Sequence, residues 1–279
     1  MTVIVFMGNE AGAGVTGNMI SIALALASEM NCTITLFENH AGNNGIMNYL
    51  KPHENVNCVC EEDYLSSLYR NSLTRSKSEY TVEEIVQNRL YYYGKPAQNQ
   101  LAHDYGMTYM ISEVLNDIKS IEKVRNNFVF VDAKLSGTEN SKYLIEKADL
   151  IVVNLTQNRS GIRDFLINYP DISEKAVFVV SDFDANDESS RAEINNLMLF
   201  HRNRTFVLPH CSDFRFSAES GDLIEFFNNG WESEQKNWYE DKTAHGERVF
   251  YFKSLKNVSR SIMVMLNEIR ESKEAKKRV

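Results

Sequence analysis

Seven short runs in this chain are apolar at nearly every position: TVIVF at 2–6, TITLF at 33–37, VNCVC at 56–60, FVFVD at 128–132, LIVVN at 150–154, AVFVV at 176–180 and TFVLP at 205–209. A strand with one wet face alternates apolar and polar residues; a strand covered on both faces need not. The runs therefore predict strands of a parallel sheet buried on both sides. Helical patterns fall between them, at 17–30, 81–93, 107–125, 139–147, 160–168, 188–200 and 218–228. This alternation predicts an α/β fold with a doubly wound, mainly parallel sheet of about seven strands flanked by helices. No internal repeat and no low-complexity linker interrupts the 279 residues, which read as a single domain over 1–279.

The stretch 61–127 is the least regular, with two or three expected helices and no clear strand. Its cluster Tyr91, Tyr92, Tyr93 reads as part of a helical layer whose tyrosines half-bury, with a partner surface as the other reading. Near the end, Phe252, Leu255, Val258, Ile262, Leu266 and Ile269 recur at helical spacing and predict an amphipathic helix over 252–270. A basic tail, KEAKKRV, closes the chain. Such a helix either packs on the sheet or lies on a membrane surface; packing is the preferred reading, because it needs the same apolar face.

Composition narrows the function classes. No run reaches the roughly 18 apolar residues of a membrane span. The start lacks a basic segment and a small-residue cleavage site, so no signal peptide is expected and the location reads as cytoplasmic. A formal net charge of −8 does not favour broad contact with nucleic acid. Of the four cysteines, Cys58 and Cys60 stand in CVC, the wrong spacing for a zinc knuckle or redox pair, and all four read as structural thiols. The six histidines form no HxxH, HxxxH or HExxH pattern, so no protein-ligated zinc site is expected.

The chemistry-bearing stretch is GNEAGAGVTGN at 8–18, set between the first strand and the first helix. Strand, glycine-rich turn and helix together can point successive backbone N–H groups at a phosphate. Gly8, Gly12, Gly14 and Gly17 supply the turn, and Thr16 stands where a hydroxyl would bind Mg²⁺. The lysine that normally neutralises the phosphates is absent; its step is Val15.

Together with several later stretches of the chain, this loop resembles the MinD/ParA family of P-loop ATPases, whose phosphate loop reads KGGxGKT. Laid on residues 10–16, EAGAGVT keeps Gly12, Gly14 and Thr16 but has Glu10, Ala11 and Val15 in place of the two lysines and the first glycine. LFENHAGNN is similar to the second strand and switch loop, with Glu38 and His40 at the carboxylate positions. FVFVDAKLSG resembles the Walker B strand, with Asp132 on the metal side and Gly137 in the switch. ADLIVVNLTQNRSGIRD resembles the next strand and helix, with Ser160 to Asp164 opening the helix. AVFVVSDFD carries Ser181 where a base-contacting Asn is usual. In FVLPHCSDFRFSAESGDLI, Pro209, Ala218 and Gly221 fit a late loop, and Cys211 replaces an Asp. The likeness runs from Thr2 to about Ile269.

The resemblance implies a nucleotide contacted by Gly12, Ala13, Gly14, Val15, Thr16, Gly17, Ser181 and Pro209, with Mg²⁺ held by Thr16 and Asp132. His40 and Asp132 fall at the family's catalytic and metal positions. Phosphoryl transfer is positioning plus charge stabilisation, and three of those charges are lost. Val15 cannot neutralise a phosphate. Glu10 places a carboxylate where a lysine would reach across a sandwich dimer, and His40 replaces the carboxylate that helps place water. The expectation is little or no ATP hydrolysis, with weak binding of ATP or ADP left open. Among the family's branches the TadZ/CpaE pilus-assembly localisation branch is nearest in character, although no receiver-like domain precedes the first strand here. The resemblance then implies a localisation or assembly platform for a cell-envelope, pilus or secretion machine. It would be a homodimer or pair with a related ATPase, and could touch the inner face of the membrane peripherally. The alternative is an active ParA-like ATPase that positions DNA or cargo.

Overall fold

The computed structural model describes residues 1–39, 45–50, 81–94, 115–116, 128–133, 139–231 and 244–277. Its strands are β1 (Thr2–Gly8), β2 (Ile34–Asn39), β3 (Thr81–Val86), β4 (Leu90–Gly94), β5 (Phe128–Ala133), β6 (Leu150–Leu155), β7 (Ala176–Phe183) and β8 (Thr205–Pro209). They form one sheet in the order β3-β4-β2-β5-β1-β6-β7-β8. Every neighbouring pair is parallel except β3–β4. From β1 the chain builds one side of the sheet with β2 to β5, β5 returning beside β1, and then the other side with β6 to β8, so β1 stands at the switch point where the C-terminal ends of the strands leave a crevice.

The helices cover both faces, as the apolar runs require. They are α1 (Val15–Glu29), α2 (Gly45–Leu50), α3 (Glu139–Lys147), α4 (Arg159–Asn168), α5 (Glu188–Leu197), α6 (Ser212–Ser220), α7 (Leu223–Trp231) and α8 (Ala244–Lys277). Ile4 and Phe6 of β1 join the core beneath α1, α7 and α8. Val3, Val5 and Met7 join the opposite core, with Leu144 of α3 and Ile162 and Phe165 of α4. Successive side chains of one strand thus enter two cores, which explains why the strand does not alternate in hydrophobicity.

Six of the seven expected strands appear; the seventh, at 56–60, lies outside the described residues. So does the expected helix at 107–125, apart from residues 115–116. The expected helix at 81–93 is a correction: these residues form the β3–β4 hairpin. Val82, Ile85 and Val86 and three consecutive tyrosines favour extended backbone. The turn places Asn88 at φ 58°, a conformation asparagine tolerates, and Arg89 N–H donates to the Val86 carbonyl at 2.9 Å. The tyrosines are buried, not half-buried: Tyr92 enters the α1 core, and Tyr93 packs edge-on against Phe37 in the other.

The expected terminal helix at 252–270 is longer, running from Ala244 to Lys277. Its apolar face, including Phe252, Leu255, Val258, Ile262 and Leu266, is buried against the body of the protein. A Cβ on Gly230 of α7 would fall 1.9 Å from the Phe252 ring, so the two helices meet at a distance only glycine permits. Among the described residues no helix is long and apolar enough to cross a membrane.

Candidate functional site

The loop from Gly8 to Gly14 leaves the end of β1 and turns into α1. Gly12 has φ 83° and Gly14 φ 71°, both in the left-handed region that glycine enters without strain. Gly14 is the N-cap of α1, no side chain caps it, and no acidic residue stands in the first turn. The first-turn N–H groups of α1 are left to an incoming anion, with the positive end of the helix dipole behind them. This geometry fits the phosphates of a nucleotide.

The expected contact residues divide three ways. Gly12, Ala13, Gly14, Gly17, Ser181 and Pro209 line a cleft of about 610 Å³ at the C-terminal edge of the sheet. Thr16 turns instead to Asp132, whose Oδ2 accepts from Thr16 Oγ1 at 2.5 Å. The metal-side pair is therefore brought together, with Asp132 almost wholly buried. Val15 packs against the α1 core, so its side chain is a core contact and not part of the cleft lining. His40 and Gly137 lie outside the described residues.

Glu10 has a local partner set. Its carboxylate accepts from the Thr156 hydroxyl and from Asn158 Nδ2, the latter at 3.4 and 3.5 Å. Asn158 caps α4 by accepting from Ser160 N–H at 3.1 Å. The carboxylate thus rests beside a helix N-terminus, where the dipole favours negative charge. Beside it, Asn9 Oδ1 accepts from Thr156 N–H at 3.0 Å. The loop is tied to the β6–α4 connection at two adjacent residues.

Glu38 is likewise engaged. It is fully buried at the end of β2, in register with Asp132. Its two oxygens accept from the Tyr92 hydroxyl at 3.0 Å and from Ile46 N–H at 3.3 Å. Among the described residues no cluster of three or more His, Cys, Asp or Glu side chains could hold a metal. Thr16 and Asp132 together would hold Mg²⁺ only with help from a ligand's own oxygens, as in nucleotide sites.

Several cleft residues escaped the sequence reading. Asn18 Nδ2 donates to Asn154 Oδ1 at 2.9 Å and to Ser181 Oγ at 2.8 Å. Asn154 Nδ2 donates to the Met7 carbonyl at 3.4 Å. This buried polar network ties the first turn of α1 to three strand ends. The available signal was a polar residue closing an apolar strand, Asn154, and another opening an apolar helix, Asn18. Tyr49, Phe214 and Tyr251 give the cleft an aromatic side. A Cβ on Gly17 would lie 3.0 Å from the Phe214 ring and 3.1 Å from Tyr49, so both rings close over the start of α1. Burial, then the charges of Asp132 and Glu219, raise the Tyr49 phenol. Burial pushes Cys211 up to about 11, so it lines the cleft as a neutral thiol. At the rim, His210 Nδ1 lies 2.6 Å from Asp182 Oδ1, and Asp182 has φ 52° where β7 is irregular.

No protein-family profile matches the sequence, and no curated protein matches it. Solved structures do match the fold. A ParA family ATPase from Chlorobium tepidum superposes with a TM-score of 0.60 at 14% identity, over 93% of this chain and 98% of that one. The MinC:MinD cell division complex from Aquifex aeolicus gives 0.61 at 14%, over 94% and 96%. The septum site-determining protein MinD with Mg-ADP from Pyrococcus horikoshii gives 0.60 at 12%, over 94% and 95%. The chain has the mainly parallel α/β fold of MinD/ParA-type P-loop proteins, with eight strands among its described residues.

Proposed function

We propose that the chain is a single-domain, degenerate MinD/ParA-like protein that binds ATP or ADP with Mg²⁺ weakly and hydrolyses ATP little or not at all. It acts as a localisation or assembly platform for a protein machine of the cell envelope, in the manner of pilus or secretion systems. One observation carries the reading: the cradle and the loop's two basic positions have parted ways. Gly12, Gly14 and the Thr16–Asp132 pair keep the geometry of a nucleotide site. The two positions that carry lysine in the family are spent on structure, Glu10 on Thr156 and Asn158, Val15 on the core.

The residues divide the labour accordingly. The first-turn amides of α1 would hold the phosphates, Thr16 and Asp132 the Mg²⁺, and Ser181 and Pro209 would contact the nucleotide from the ends of β7 and β8. When bound, the nucleotide and its Mg²⁺ would supply order and charge to this edge of the sheet. No lysine of the loop would neutralise charge developing in phosphoryl transfer, where such stabilisation counts most. The protein partner is an envelope-associated machine component, and the chain forms a homodimer or pairs with a related ATPase.

The retained Thr16–Asp132 contact favours a second reading, an active ATPase that positions DNA or cargo. Size-exclusion chromatography with and without Mg-ATP separates the two. A platform whose interface is independent of nucleotide elutes at the same volume in both; a working sandwich dimerises only with Mg-ATP. Nucleotide-driven dimerisation together with turnover would overturn the platform reading.

A further inference from the structure

A bound polyphosphate needs countercharge, and the loop offers only amide dipoles. We infer that Arg215 of α6 supplies the missing cation: it is the phosphate-binding side chain of the cleft, released from Glu219 when an anion enters. This rests on the proposal that the cleft takes a nucleotide, and it deepens it.

Three observations carry the inference. First, Arg215 is the one cationic side chain among the described residues lining the cleft; the lining acids are Asp182 and Glu219. Asp182 already faces His210 at 2.6 Å, and Tyr49 and Cys211 are held neutral by burial. Second, α6 presents Phe214, Arg215, Ala218 and Glu219 to the cleft, positions that share one helical face. Phe214 of that face closes on Gly17 in the first turn of α1, and Arg215 follows it on the same wall of the cleft. Third, Arg215 is weakly committed. Its Nε meets Glu219 Oε1 at 3.4 Å in an i,i+4 pair whose side chains are 69% and 71% exposed. Such pairs hold little energy, whereas a guanidinium fork on a phosphate makes short, paired, charge-assisted bonds. The positive charge lost from positions 10 and 15 is thus recovered from the opposite wall. A cation on a surface helix can bind a phosphate but is not built into the loop where the reaction would develop its charge.

The test titrates the full-length protein with Mg-ADP and, separately, with inorganic pyrophosphate and Mg²⁺, for wild type, Arg215→Gln, Arg215→Lys and Glu219→Gln. Arg215→Gln is expected to weaken both ligands about tenfold or more, and Arg215→Lys by less, since lysine keeps charge but loses the fork. Glu219→Gln is expected to tighten both by about threefold, because it removes the competing carboxylate. These opposite effects from two exposed neighbours are not what a structural role for α6 would give. If wild type binds Mg-ADP and Arg215→Gln binds it equally well, the inference falls and the nucleotide reading stands. If wild type binds pyrophosphate through Arg215 but gains nothing from adenosine, the inference stands and the nucleotide reading falls. If wild type binds neither, both fall. Should Arg215→Gln fail to fold, the Lys variant and Glu219→Gln decide by the same opposed shifts.

Discussion

Replacing Asn154 by Leu tests whether the polar network beneath the loop is a working joint or incidental. Asn154 is fully buried and Asn18 nearly so. Each amide proton of Asn18 has its own acceptor, Asn154 Oδ1 at 2.9 Å and Ser181 Oγ at 2.8 Å. Leucine has the same number and branching of heavy atoms but bulkier methyl groups, so no cavity opens and any packing strain adds to the loss. It leaves one buried N–H of Asn18 without its acceptor, at a cost of about 1–3 kcal/mol. For a chain of this size that lowers Tm by roughly 2–4 °C per kcal/mol. Asn18→Leu removes the other partner and strands Asn154 Oδ1 with Ser181 Oγ at 3.5 Å, at a similar cost. The double substitution removes both halves of the bond together. Urea unfolding of the four proteins should show the double losing about 1–2 kcal/mol less than the sum of the singles. Additivity within about 0.5 kcal/mol would refute the claim that this bond couples α1 to the end of β6.

Two further outcomes are expected. Gly230→Ala drives a methyl into the Phe252 ring at 1.9 Å and should destabilise the protein by about 1–3 kcal/mol, since helix and ring must both shift; an unchanged urea midpoint would show that α7 and α8 do not meet as described. Cys211, held at about 11 against an ordinary 9.0, keeps its proton in the folded protein while the unfolded chain loses it. The stability this contributes is present below pH 9 and is lost between 9 and 11, by about 2–3 kcal/mol, in a comparison of wild type with Cys211→Ala; parallel pH profiles would remove Cys211 as the cause.

The sheet was legible because burial on both faces leaves a mark in consecutive residues. TVIVF, LIVVN and AVFVV could hardly be anything but central strands, and their alternation with helices gave the doubly wound, mainly parallel class, though not the strand order. The β3–β4 hairpin was missed because residues 81–93 are short and mixed, and helical and extended patterns compete over such a stretch. Of the candidate site, the loop and Asp132 were legible because local order carries them: strand, glycines, helix, and a carboxylate closing an apolar run. The Asn18–Asn154–Ser181 network joins residues more than a hundred positions apart, and only the sheet order brings them together. Glu10 shows the same limit. Its place in the loop was legible, but its contacts with Thr156 and Asn158 depend on β6 lying beside β1. Arg215 sits on a helix whose placement over α1 no local pattern encodes.

The central claim, a retained cradle without catalysis, is most directly tested by phosphate release from Mg-ATP under single-turnover conditions, with protein in excess over nucleotide. The account predicts release at the uncatalysed background rate for wild type and for Asp132→Ala alike. Release above background that Asp132→Ala abolishes would contradict it.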